Sequence, residues 1–312
     1  MTSEDSIRPG PGHCPQAPCP SFAETALSSV ITEIAVPLVA VQNGIFKQCG
    51  TAVILNNGIA VTAKHIFDWA WRTFEGERMG DDQHLTGTFG LMVIQILNEA
   101  KDAALWDVRE VFFSPFNDVA FLKLVPTSES ALSRQCRTPK INLFPPIIGS
   151  KVAALGYPAR EIKIEQDGEN AKLLTDLRPM TTTGIVKQIH EYKRDSVRLP
   201  FPCFQTNARF DDGMSGGPVF DSNGCLCGLI CQNLPPSIPG EEHVSYVTTL
   251  WPSMATKVDF NRAGYPTGIQ YPFLDLVSSG FLEAIGHDRL VILPPTIEGN
   301  IVVGLRSTSS SI

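Results

Sequence analysis

The chain has 312 residues, of which 43% are hydrophobic and 18% charged, an ordinary balance for a globular protein. A formal net charge of −7, with no basic cluster interleaved with aromatics, argues against a nucleic-acid surface. The apolar run 34–41 is far too short to span a bilayer. The first 25 residues carry prolines and acids where a signal peptide has a basic start and an apolar core. Neither a membrane partner nor a secretory leader is expected, and a cytoplasmic location is.

In chain order, residues 1–27 contain Pro9, Pro11, Pro15, Pro18 and Pro20, too many for a helix or strand, and read as an extended arm. Cys14 and Cys19 with His13 raise a metal site, but that spacing has no matching second pair nearby. Buried free thiols are the plainer reading of all eight cysteines, with zinc or disulfides as alternatives. No metal and no cofactor are expected. From about 28 to 255, short alternating or apolar runs are separated by Gly, Pro and Asn. Strands are predicted at 34–41, 51–55, 91–97, 119–125, 151–155, 184–189, 218–220, 226–231 and 244–249. Many short strands with turn signals favour an all-β barrel or sandwich. Asn56-Asn57-Gly58 is a hairpin turn that sets the strand before His65 beside its predecessor. No internal repeat is visible. Beyond 256, residues 274–285 space their apolar positions as a helix, and 289–293 and 301–305 read as strands. This apolar content argues against disorder, so the tail is expected to pack back onto the chain or dock a partner.

Three short segments carry chemistry. Asp212-Gly213-Met214-Ser215-Gly216-Gly217-Pro218-Val219-Phe220 holds a serine among glycines ahead of an apolar strand. A serine hydroxyl becomes nucleophilic only when a base takes its proton and fixed donors receive the oxyanion. Val61-Thr62-Ala63-Lys64-His65 supplies an imidazole after an apolar run, and Asn117-Asp118-Val119-Ala120 supplies a carboxylate at the head of a strand. Alone, each reads as a structural histidine, a strand-start aspartate or a turn serine. Together, in the order His, Asp, Ser, they match the chain order of chymotrypsin-type triads and differ from the subtilisin and α/β-hydrolase orders.

On these three boxes the chain resembles the trypsin-like serine peptidases of chymotrypsin fold, over about residues 30–255. Gln205-Thr206-Asn207-Ala208 and the segments 149–158 and 183–186 are similar to the high-temperature-requirement protease branch, but the tail is too short for that branch's peptide-binding domain. The resemblance implies two six-stranded antiparallel β-barrels with short helices and a small C-terminal extension. The peptidase domain would span 28–255, with a barrel boundary near 135–145, and the extension 256–312.

It also implies roles. Ser215 would be the nucleophile, His65 the base, Asp118 the group that orients the ring, and the Gly213 and Ser215 amides the oxyanion hole. Arg209, Phe210, Ile230, Gln232 and Asn233 would wall the first subsite. Arg209 there would favour an acidic side chain, or else it points to solvent or pairs with Asp211. The glutamate-specific branch carries a histidine where Ile230 stands, so its mechanism does not transfer. Cys231 would touch the orienting aspartate. Met214 stands where zymogens carry an aspartate that captures a new N-terminus, and Ile66 where extracellular relatives have a half-cystine partner for Cys49. These departures imply a reducing compartment and control by something other than zymogen cutting. The expected function is a serine endopeptidase acting on protein or peptide, latent until a regulatory protein partner orders it. The alternative is an inactive trypsin-like scaffold that binds proteins.

Overall fold

A computed structural model describes residues 21–26, 30–74, 89–97, 102–159, 164–167, 170–173, 177–238, 241–260, 269–294 and 301–306. Cys14, Cys19 and most of the proline-rich arm lie outside the described residues. The first barrel is built from β1 (Ala35–Gln42), β2 (Ile45–Asn56), β3 (Ile59–Thr62), β4 (Gly90–Leu97), β5 (Asp102–Phe113) and β6 (Ala120–Pro126). The second is built from β7 (Lys151–Gly156), β8 (Met180–His190), β9 (Cys203–Thr206), β10 (Pro218–Phe220), β11 (Leu226–Leu234) and β12 (Val244–Thr248).

All pairings within both rings are antiparallel. The first closes in the order β1-β2-β3-β6-β5-β4 and the second in the order β7-β8-β9-β12-β11-β10. The two orders are the same, so the halves repeat in topology although no repeat is visible in sequence. Closure removes the unpaired strand edges that an open sheet would expose.

Each barrel fills its interior with the apolar face of its strands. Leu38, Ile54, Val93, Trp106 and Leu122 meet inside the first, and Val152, Phe204, Val219 and Val247 inside the second. The sequence reading missed β5. Its buried positions run Ala104, Trp106 and Val108, then shift to Val111 and Phe112, because a bulge lies between Val108 and Glu110 opposite β6. An extra residue in a strand switches the face that each later side chain takes, so a strict alternation is broken.

Outside the barrels, Phe22–Glu24 forms a strand on β8, pairing Phe22 with Thr182 and Glu24 with Met180. The arm expected to extend to residue 27 is therefore paired over these three residues. Between the barrels lie the helix Glu129–Leu132, capped by Ser128, and the short strand Ile141–Asn142, parallel to β11 at Leu226. A helix, α1 (His65–Phe74), follows β3.

After β12 the chain forms a second helix, α2 (Phe273–Ser278), shorter than the helical spacing over 274–285 predicts. It stops because Gly280 takes φ +75° and the amides of Phe281 and Leu282 fold back onto the Leu276 carbonyl. The freed segment Ala284–Ile285 instead pairs with Ile141–Asn142. Leu290–Leu293 and Val302–Leu305 form the last hairpin. One apolar cluster joins Val53, Leu55 and Phe121 of the first barrel, Leu226 and Leu229 of the second, and Phe273, Leu276, Leu282 and Val303 after them. Phe121 and Phe273 stack with ring centroids 3.9 Å apart. The described residues after 256 thus pack against both barrels. Burying each such side chain contributes about 2–3 kcal/mol.

Candidate active site

An open cleft of about 1000 Å³ runs between the barrels and is lined by His65, Asp118 and Ser215 among others. His65 is the first residue of α1, directly after β3, while Asp118 lies just before β6, the strand paired with β3. That pairing brings the two together. Asp118 Oδ1 accepts the His65 backbone N–H at 2.9 Å, and Oδ2 lies 2.6 Å from His65 Nδ1. A carboxylate only accepts, so Nδ1 carries the proton and Nε2 is left with its lone pair. Burial works against the charged ring, but the charge and hydrogen bond of Asp118 outweigh it and hold the imidazole above its ordinary pKa of 6.5.

Cys231 reaches the same carboxylate oxygen. Its Sγ donates to Asp118 Oδ2 at 3.1 Å. Burial, then the neighbouring carboxylate charge, pushes the thiol well up, so it stays protonated and acts as a donor. His65, Asp118 and Cys231 present ligand atoms within 4.8 Å of one another, yet Asp118 Oδ2 is already shared between the two hydrogen bonds. The two hydrogen bonds hold protons between these groups. The six described cysteines, Cys231 among them, are buried and free.

Ser215 comes from the second barrel, on two consecutive turns. Met214 N–H donates to Asp211 O at 3.1 Å and Gly217 N–H to Met214 O at 2.9 Å. Gly213 and Gly216, third in each turn, take φ of +88° and +78°. This is the type II form, which needs a residue without a Cβ at that position. There is also no room for one. A Cβ on Gly213 would lie 2.3 Å from Ala159 N, and one on Gly216 would lie 2.1 Å from Thr62 Oγ1. Met214 is fully buried in the second barrel's core, so an apolar anchor fixes the turn where the resemblance puts an acid.

The turn also aims the backbone. Ala159 N–H donates to Asp212 O at 2.6 Å, drawing that carbonyl to one side. In a trans peptide the following N–H points the opposite way. Neither the Gly213 nor the Ser215 amide donates to another group among the described residues. Thr51 of β2 ties this loop to the first barrel. Its N–H donates to Ser215 O at 2.9 Å, and its hydroxyl donates to Gly213 O at 3.0 Å while accepting Tyr157 N–H at 3.0 Å. No hydrogen bond joins Ser215 Oγ to the His65 ring among the described residues.

Of the expected subsite residues, Phe210, Ile230, Gln232 and Asn233 line the cleft. Arg209 does not. Its guanidinium forks onto Asp211 at 2.7 and 2.8 Å and lies 4.3 Å over the Phe22 ring, which fits the solvent-and-pair alternative. A forked carboxylate and an aromatic face together satisfy the group away from the cleft. The sequence reading did not find Arg198, Phe201, Ala159 or Asp212 in the cleft, nor the tie through Thr51. Arg198 and Phe201 sit in the connection between β8 and β9, where no periodicity marks them. Thr51 sits inside a strand, where its hydroxyl gives no signal.

The Trypsin-like peptidase domain matches the chain over residues 50–229. No curated protein matches the chain. Among solved structures, Deg5 is 18% identical, with 72% of this chain and 86% of that chain covered and a TM-score of 0.46. A mutant, inactive form of Rv3671c from M. tuberculosis H37Rv is 16% identical, with coverage of 72% and 84% and a TM-score of 0.40. The matched segment covers more than half of the sequence and holds His65, Asp118 and Ser215, and so, with its two closed six-stranded barrels, the chain belongs to the trypsin-like peptidase domain family.

Proposed function

We propose that the chain is a serine endopeptidase that cleaves proteins or peptides through an acyl-enzyme, with Ser215 as nucleophile, His65 as base and Asp118 as the group that holds the ring. The observation that carries this reading is the pair of hydrogen bonds that Asp118 accepts from His65, ring at 2.6 Å and backbone at 2.9 Å, beside the cleft that also receives Ser215. The carboxylate fixes the Nδ1–H tautomer, so Nε2 is the atom that takes the serine proton as Oγ attacks the substrate carbonyl. The imidazolium formed is stabilised by Asp118. The carbonyl oxygen gains the negative charge and receives the amides of Gly213 and Ser215. His65 then gives its proton to the leaving amine, and water attacks the acyl ester by the same route in reverse.

The reading requires the ring and hydroxyl to close on each other when substrate binds, which is common for catalytic hydrogen bonds that are loose in the free enzyme. A partner that ordered the cleft would act at this step. The buried free cysteines support a setting that keeps thiols reduced, such as the cytoplasm. A fluorophosphonate probe tests the reading directly. Labelling of the native chain that disappears in Ser215→Ala supports the enzyme. A folded chain that stays unlabelled, alone and after incubation with partners captured from its own cells, would instead leave a protein-binding scaffold.

A further inference from the structure

Five residues lining the cleft carry or can carry charge: His65, Asp118, Arg198, Asp211 and Asp212. Asp118 is committed to His65, and Asp211 to Arg209. Arg198 and Asp212 remain, both exposed and neither in an ion pair among the described residues. Asp212 belongs to the turn beside Ser215. Arg198 belongs to the connection between β8 and β9. Its backbone is held firmly there, since Asp195 Oδ1 accepts the amides of Val197, Arg198 and Leu199 at 2.8, 2.6 and 3.3 Å. The next residue, Leu199, is buried with Cys231 and Tyr246, against which Phe201 and Leu234 also pack. The loop carrying Arg198 thus lies over the outgoing end of β11.

Among the described residues, that end of β11 runs past the closed ring and has a free edge. On one side Gln232, Asn233 and Leu234 pair with β12, but on the other β10 reaches only to Leu229. An extended peptide can add to this edge as a strand. If it runs antiparallel, its N-terminal part lies toward Leu234 and Arg198 while its scissile bond lies at Ser215. From Ile230 to Leu234 a strand advances about 13 Å at roughly 3.3 Å per residue, which is three to four substrate residues.

We propose that Arg198 is a specificity-determining residue that receives an acidic side chain of the substrate, three or four positions on the N-terminal side of the cleaved bond. This rests on the endopeptidase reading and names its substrate class: proteins with a carboxylate ahead of the scissile bond. The guanidinium offers a planar fork to a carboxylate and is in no ion pair among the described residues. Asp212, beside the scissile position, disfavours a carboxylate there, so the acidic preference belongs to the remote position.

The test is cleavage of a randomised peptide library by the native chain, by Arg198→Gln and by Arg198→Glu, with products read by mass spectrometry. Expected is an enrichment of Asp and Glu over Asn and Gln by about three- to tenfold at the third or fourth position, the range for an exposed to part-buried charged pair. It should shrink as salt is raised, vanish in Arg198→Gln and turn toward Lys and Arg in Arg198→Glu. No acidic enrichment there, or enrichment that survives Arg198→Gln, overturns the assignment. If nothing is cleaved, binding of Glu and Gln versions of a fluorescent peptide to Ser215→Ala is compared by anisotropy. Equal binding overturns the assignment, whereas a fluorophosphonate label missing both alone and after incubation with partners overturns the endopeptidase reading separately.

Discussion

The Thr51 hydroxyl bridges two loops that meet from different barrels, and its removal has a calculable cost. In Thr51→Val the shape is kept while Tyr157 N–H loses its acceptor and Gly213 O its donor. Thr51 and Tyr157 are both buried, so the unpaired amide alone costs about 1–3 kcal/mol, and the half-buried Gly213 carbonyl brings the sum to roughly 2–4 kcal/mol. Thr51→Ser keeps the hydroxyl and loses one buried methyl, worth about 1 kcal/mol. Thr51 N–H to Ser215 O persists in both variants. Urea unfolding with an unchanged slope should therefore rank native, Ser, then Val. Fluorophosphonate labelling should slow about tenfold in Val, corresponding to about 1.4 kcal/mol of lost oxyanion-loop positioning, and stay near native in Ser. A Val variant as stable as Ser and labelled at the native rate would refute the bridge.

Other outcomes follow from the same geometry. Turnover needs the neutral His65 ring, whose folded pKa is raised, so kcat/KM should climb as pH rises through a value above 6.5. Asp118→Asn should move that limb to lower pH and cut turnover by about four orders of magnitude, and an unmoved limb would remove the aspartate from the mechanism. Because the folded pKa is raised, the His65–Asp118 pair stabilises the protein fully below the unfolded pKa and is lost as pH rises through the folded one; Asp118→Asn should flatten that slope in unfolding measured across pH. Cys231→Ala removes a donor to Asp118 and should slow labelling about tenfold, while Cys231→Ser keeps the donor and the rate. Equal rates for the two would show that the thiol only fills space. Phe273→Ala opens a cavity against Phe121 and should cost about 3–5 kcal/mol in urea unfolding. A loss under about 1 kcal/mol would mean that the tail is not part of the core.

Local chemistry made much of this protein legible in one dimension. The NG turn before β3, the alternating runs and the three polar boxes are short-range signals, each written within a few neighbouring residues. They point to a barrel fold, and to His65, Asp118 and Ser215 as residues worth bringing together. The helix expected over 274–285 ended early because a turn and a distant strand partner, Ile141–Asn142, competed for residues with the right spacing. Strand β5 was hidden by its bulge.

Sequence by itself determined the building pieces: where strands can run, which side chains carry reactive atoms, and that a Cβ is missing at Gly213 and Gly216. Tertiary structure decided what those atoms face. It turned Arg209 away onto Asp211, set Arg198 into the cleft and bound the Ser215 turn to Thr51 across the barrel seam. The physical reason is that a turn or strand signal depends on nearby backbone sterics. A side chain's direction and partner depend instead on contacts between residues that only the closing of two barrels brings within hydrogen-bond reach.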